Sequence, residues 1–344
     1  MIVRKTVIPR REKTYSSFPT LATNGDRVYV FFRQGRTSNR QCHGVDGVVK
    51  CFEIEKEVLL RALGDDRVTS LFDLGRETTV FGSAGANEID AIVSRPQENV
   101  YTLATRLYNP PQLLKSYISF SDTPCFQERT EVRVKGVRWL VFYGKAFRSP
   151  AGYVFPAYGA LEGEGFSRPL LLVTDNGESW DVLSWLPSNL EGHIILNESS
   201  VVHDGDQYVI FMRRDTPPYG IWYATSFDLQ AWSEPQPLLE KAHAPMSLKV
   251  GDRLYLTFRD LSDPEVSAVS LLNPLDGGRK TVIDTYHGDL YDGGYTDLLV
   301  IDGYLLIVYY LGNEKAEPEI RLAALPLGDY GWACEALGIA RTVR

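Results

Sequence analysis

Long apolar runs are missing from this sequence. No stretch reaches the 18 or so apolar residues that a membrane-crossing helix requires, so a helical span is excluded. Cations are in deficit, with 36 Lys and Arg against 44 Asp and Glu and a formal net charge of −8. Nucleic-acid binding depends on clustered Lys and Arg facing phosphates, so it is not expected. The basic opening (Arg4, Lys5, Arg10, Arg11, Lys13) reads as a solvated first strand. Cysteine is sparse. Cys42 and Cys51 could pair across a loop, while Cys125 and Cys334 stand alone, and free thiols are the expected state. Cys42-His43 with Cys51 lacks a fourth ligand and the spacing of a zinc site, so neither metal nor cofactor is expected. Glycine-rich phosphate loops and Ser/His/Asp nucleophile elbows are absent. The start, MIVRKTVIPRREK, lacks the apolar core of a signal peptide. The expected location is therefore the cytoplasm, or outside the cell if a leader has been removed.

Helical periodicity is also scarce, and only a stretch such as Glu55–Ala62 reads as helix. What is present instead is β patterning: 44% hydrophobic residues, with 19 Tyr, 15 Phe and 6 Trp. Leu196–Arg213, LNESSVVHDGDQYVIFMR, holds two short apolar runs around an Asp/Gly-rich turn, the mark of a β-hairpin. Its second half recurs. GDRVYVFFR ends at Arg33, ENVYTLATR at Arg106 and AGYVFPAY at Tyr158. The series continues with GDQYVIFMR at Arg213, GDRLYLTFR at Arg259 and DGYLLIVY at Tyr309. Six strand-like copies spaced roughly 50 residues apart predict a β-propeller. Each copy is followed by another strand candidate: GVVKCFEI, SYISFS, PLLLVT, IWYATS, VSAVSLL and IRLAAL. The expectation is an all-β, six-bladed propeller of four-stranded antiparallel blades, with residues 1–344 as one domain.

Three turns share an Asp-box form. Val173–Trp180, VTDNGESW, has Val173 where the pattern has a hydroxyl, Ser226–Trp232 is a degenerate copy, and Asp122 to Phe126 a faint one. Asp caps the turn, Gly supplies a positive φ and Trp packs on the blade, so the box is structural. Strand direction puts the boxes on one face of the ring. The starts of first strands and the ends of second strands fall on the other. That face collects Ser17-Phe18-Pro19, Asn87-Glu88 with Asp90, Gly144-Lys145, Asn197-Glu198, His243, and Tyr291-Asp292 with Tyr295. Arg33, Arg106, Tyr158, Arg213, Arg259 and Tyr309 join them, with His43 and Asp46 from the loop after Arg33. Ionisable groups converging on a channel mouth make a candidate ligand site.

These residues resemble the sialidase (neuraminidase) superfamily of propeller glycoside hydrolases. Asn197-Glu198 with Arg213 resembles the family's Asn-Glu strand and following arginine. Gly294-Tyr295-Thr296-Asp297-Leu298 resembles the segment holding the nucleophilic tyrosine. Ser17-Phe18-Pro19, Arg33 and Asp46 resemble the opening blade. The likeness covers essentially the whole chain. It implies a retaining hydrolase with Tyr295 as nucleophile, Glu198 as its base and Asp46 as acid/base, the Tyr-nucleophile exception among glycosidases. The substrate-binding candidates are Arg213, Arg33, Arg259, Arg106, His43, Asp292 and Tyr158, and the expected partner is a carbohydrate. The likeness breaks at the carboxylate clamp, which the family builds from three arginines. Only Arg213 matches. The opening blade has Ser17 where the family has an arginine two residues before the proline, and Glu265 stands where the third is expected, so a glycan other than a common sialoside is implied. Two alternatives stay open: an inactive carbohydrate-binding propeller, and a five-bladed glycosidase or phosphorylase using Glu88, Asp90 or Asp292. In a lyase, His43 or His243 would be the base.

Overall fold

The computed structural model describes residues 2–38, 43–82, 85–109, 113–274, 279–287 and 293–327. Their strands form six sheets ordered around a ring, and the predicted six-bladed propeller is the observed fold. Blade I is Thr14–Thr23, Arg27–Arg36, Val45–Glu55 and Arg76–Phe81. Blade II is Glu88–Gln97, Val100–Asn109, Leu113–Ser121 and Thr130–Glu131. Blade III is Val137–Phe142, Gly152–Leu161, Arg168–Thr174 and Asp181–Trp185, with Phe147–Ser149 continuing its innermost strand. Blade IV is Leu196–His203, Tyr208–Arg214, Gly220–Ser226 and Gln236–Glu240. Blade V is Ala242–Val250, Arg253–Asp260, Ser267–Leu272 and Thr281–Tyr286. Blade VI takes Thr296–Ile301, Tyr304–Leu311 and Glu319–Pro326 from one end of the chain. Its outer strand, Val3–Ile8, comes from the other. That pairing closes the ring, and the five-bladed alternative is excluded.

All six repeat copies are second strands, and their composition follows from burial on two sides. In blade I, Val28, Val30 and Phe32 pack toward blade VI, while Tyr29 and Phe31 pack toward blade II. Period-2 alternation therefore yields a continuous apolar run, because both faces of a blade meet neighbours. The described core divides the same way, into six clusters, each filling one seam between adjacent blades. Helix Lys56–Gly64 sits between the third and fourth strands of blade I and adds Leu59, Ala62 and Leu63 to the seam with blade VI. It accounts for part of the longer first repeat interval.

The Asp-box turns form, but in a different register from the one the sequence suggests. Asp175 is exposed, and Thr174 and Asn176 cap the turn instead. Thr174 Oγ1 accepts from Gly177 N at 2.9 Å and Asn176 Oδ1 from Glu178 N at 2.9 Å. The degenerate copy does the same with Ser226 and Asp228, which accept from Leu229 N and Gln230 N. Trp180 and Trp232 follow six residues after Thr174 and Ser226.

The innermost strands are not regular. Their pairing with the second strand slips at Phe18-Pro19 in blade I, Ile89-Asp90 in blade II, Asn197-Glu198 in blade IV and Ala244-Pro245 in blade V. In each, two residues oppose one, which is a β-bulge, a device that re-aims side chains. In blade III the strand breaks altogether at Tyr143–Ala146, opposite Pro156, which has no N–H to donate to the ladder.

Candidate functional site

The bulges decide what faces the channel mouth. In blade IV the bulge Asn197-Glu198 opposes Arg213; in blade II the bulge Ile89-Asp90 opposes Arg106. Each acid then pairs with the arginine across from it. Arg213 Nη1 lies 2.9 Å from Glu198 Oε2, and Arg106 Nε 2.7 Å from Asp90 Oδ2. Both pairs line one cavity of about 900 Å³, together with Asp215, His43, Tyr295, Tyr143, Tyr158, Trp139 and apolar side chains from blades I, II, III and V.

Tyr295 directly precedes the innermost strand of blade VI. Its hydroxyl donates to Glu198 Oε1 at 2.8 Å and accepts from Arg213 Nη1 at 3.1 Å. Arg213 is further fixed by Asn197 Oδ1, 2.9 Å from its Nε, and by Asp215, 3.3 Å from Nη2. Behind the ring of Tyr295 lies the Arg259 guanidinium, 4.9 Å from the centroid. Arg259 is anchored by Gly293 O at 2.6 Å and threads past Gly294, where a Cβ would sit 2.8 Å from its side chain. With φ at +80°, only glycine suits that position.

Burial dominates the electrostatics. It raises the Glu198 carboxyl above its ordinary range against the pull of Arg213, and raises the Tyr295 phenol well above 10, with Glu198 adding to the effect. The resting state is therefore a phenol bonded to a carboxylate whose proton affinity is enhanced. Asp90 is also raised by burial, against Arg106. His43 is pushed down to about 3 by burial and by Arg106, so its imidazole is neutral; Nδ1 lies 3.2 Å from Tyr15 Oη.

No family profile matches the sequence, and no curated protein matches it. Solved structures match in shape. A protein of unknown function from Dyadobacter fermentans superposes with a TM-score of 0.76 at 13% identity, over 94% of this chain and 98% of that one. The Trypanosoma rangeli sialidase in complex with sialic acid superposes with a TM-score of 0.67 at 10% identity. It is matched over 95% of this chain, which spans 59% of the sialidase. Penicillium chrysogenum α-L-arabinanase complexed with arabinobiose gives 0.64 at 10% identity, over 95% and 98%. The fold is sialidase-like. Two of these three neighbours are glycosidases by name, and at 10% identity the likeness is one of fold.

In this sialidase-like propeller, Tyr295, Glu198, Arg213, Arg106, His43 and Tyr158 meet around one cavity, as their strand positions suggested. Asp46 does not. Its side chain is 59% exposed and paired with Arg36, whose Nε is 2.7 Å away, so it lies off the cavity wall. Arg33 is fully buried and ties blade I to blade II, donating to Glu88 O at 2.8 Å and Asn87 Oδ1 at 2.9 Å. Burial lowers its pKa to about 10. Arg259 backs Tyr295 without lining the cavity. Both arginines stand one residue beyond the point opposite their bulge, so alternation turns them into the seam. Glu88 is held by Arg129 at 2.6 Å. Tyr309 is buried against Asp284, and Tyr310 is buried beside Tyr295, so neither forms channel wall. Glu265 is exposed and off the cavity, so it does not act on a ligand there. Asp292 lies outside the described residues, as do Tyr291, Cys42 and Cys334. Cys51 and Cys125 are free thiols.

Sequence reasoning missed Asp215, Trp139, Tyr143 and Tyr108. Asp215 had a usable signal, being two residues after Arg213 and so on the same side of an extended chain. Tyr143 had none, because its position depends on the break opposite Pro156.

Proposed function

We propose that the protein is a retaining glycoside hydrolase acting on an uncharged glycan. The observation that carries this reading is the hydrogen bond from Tyr295 Oη to Glu198 Oε1, at the wall of the 900 Å³ cavity. Tyr295 attacks the anomeric carbon while its proton passes to Glu198, so a neutral phenol serves as nucleophile. Arg213 and the Arg259 guanidinium behind the ring offset the charge that develops on oxygen during proton transfer. Asp90, rather than the exposed Asp46, takes up a proton when substrate binds, which its burial favours, and passes it to the leaving glycosidic oxygen. In the second half the Asp90 carboxylate takes a proton from water, which attacks the glycosyl-tyrosine. The C–O bond to Tyr295 breaks and Glu198 returns the proton.

The charge balance favours an uncharged sugar. Both arginines lining the cavity are already neutralised, Arg106 by Asp90 and Arg213 by Glu198 and Asp215. A sialic acid carboxylate would meet three carboxylates and no unpaired cation among the described lining residues. The test is hydrolysis of a panel of aryl glycosides, a sialoside included, by wild type and Tyr295→Phe. Turnover of a neutral glycoside that the variant abolishes supports the reading; turnover unaffected by the substitution overturns it.

A further inference from the structure

The cavity is much larger than the Tyr295–Glu198–Arg213 cluster, and at about 900 Å³ it stands near the upper end of the range for sites that enclose drug-sized ligands. A single sugar unit would leave most of it unfilled. The remainder has its own chemistry. Tyr108 and Leu114 from blade II line it along with Trp139, Val141 and Tyr158 from blade III. Trp139 and Tyr158 pack edge to face, with ring centroids 6.1 Å apart and planes at 89°. Each ring thereby braces the other. Tyr108 is 37% exposed, a large aromatic left open to solvent.

The placement of this wall is built in. Trp139 stands at an irregularity in the innermost strand of blade III, where the pairing shifts between Val137 and Trp139. Gly159, opposite the next residue Leu140, lets the Trp139 backbone come close; a Cβ there would lie 2.2 Å from Trp139 O. Tyr108 follows Arg106 by two residues in the same strand, so alternation puts both on one side. The aromatic wall is thus continuous with the Asp90–Arg106 pair. An aromatic face receives the C–H face of a pyranose or furanose ring, and a paired carboxylate and guanidinium supply acceptors and donors to its hydroxyls without net charge.

We propose that Trp139, Tyr158 and Tyr108 form a second sugar subsite, on the leaving-group side of Asp90, so the ligand is an uncharged oligosaccharide of two or more units. The assignment to the leaving-group side rests on the glycosidase reading above; the subsite itself does not. The experiment is titration calorimetry with neutral gluco-, xylo-, galacto- and arabino-oligosaccharides of one to four units, on Tyr295→Phe protein to prevent turnover. In one series, affinity rises about tenfold from one unit to two. Trp139→Ala removes the rise, Trp139→Phe retains most of it, and the solvent-facing Tyr108→Ala removes part. Tyr108→Ala also serves if Trp139→Ala fails to fold. Equal affinity for one and two units, a rise that survives both alanine variants, or no binding in any series overturns the proposal. A length dependence that behaves as expected beside a wild type that cleaves nothing would sink the hydrolase reading and leave the subsite standing.

Discussion

Tyr295 and Glu198 are 97 residues apart in the chain and 2.8 Å apart in space. They belong to blades VI and IV, which do not touch along a seam, so the bond bridges the channel past blade V. Its geometry is held from behind by Arg259 of that intervening blade and from the side by Arg213.

Replacing Glu198 by Gln keeps a hydrogen-bond acceptor for the phenol but removes the base. The expected result is a loss of about 10²- to 10⁴-fold in kcat, with the thermal transition little changed. Steady-state kinetics beside a melting curve read both. A variant retaining wild-type kcat would remove Glu198 from the chemistry.

Asp90 and Asp46 separate cleanly by experiment. Asp90→Asn slows hydrolysis of glycosides with poor leaving groups far more than those with nitrophenolate-like ones, which need no proton. Asp46→Asn leaves both rates unchanged, because its carboxylate pairs with Arg36 at the surface. A leaving-group effect in the Asp46 variant would reverse the assignment.

Lys145 enters the channel at the break opposite Pro156 and meets Asp297 of blade VI at 2.5 Å, while also donating to Leu21 O and Val93 O. One pair thus joins blades I, II, III and VI. Lys145→Met strands a buried carboxylate and should cost about 3 to 5 kcal/mol in urea unfolding. Adding Asp297→Leu recovers only part of that, since Leu21 N and Leu298 N then lose their acceptor. Full recovery would show the pair to be dispensable.

Acid should act through the buried histidines. His243 is fully buried and held down to about 2 by burial, Arg213 and Arg259, against 6.5 for a free imidazole. The folded state binds fewer protons than the unfolded one, so this contribution is complete above pH 6.5 and drains away as pH falls toward 2. Between pH 7 and 5 it amounts to about 2 kcal/mol. His243→Gln should flatten the fall in unfolding free energy over that interval by a similar amount, measured by urea titration at both values. An unchanged slope would mean that the imidazole charges freely in the native state.

Several site positions were legible because the signals are local. Glu198 and Arg213 flank one hairpin, and a hairpin brings its ends together whatever surrounds it. Arg33 and Arg259 carried the same signal as Arg106 and Arg213 yet point into seams. What separates them is a one-residue difference in where the bulge falls relative to the arginine, and bulge position is set by how the inner strand packs around the ring. The Asp46 expectation failed for a related reason: the loop after Arg33 delivers His43 to the cavity and turns Asp46 outward to Arg36.

The sequence by itself determined the six second strands, their turns and the face on which their ends collect, because alternation and turn chemistry act over a few residues. Closure by Val3–Ile8, the pairing of Asp90 with Arg106, the approach of Tyr295 to Glu198 and the aromatic wall around Trp139 were decided only by the tertiary structure. These depend on contacts between distant segments, which no local pattern encodes and which ring closure alone brings into register.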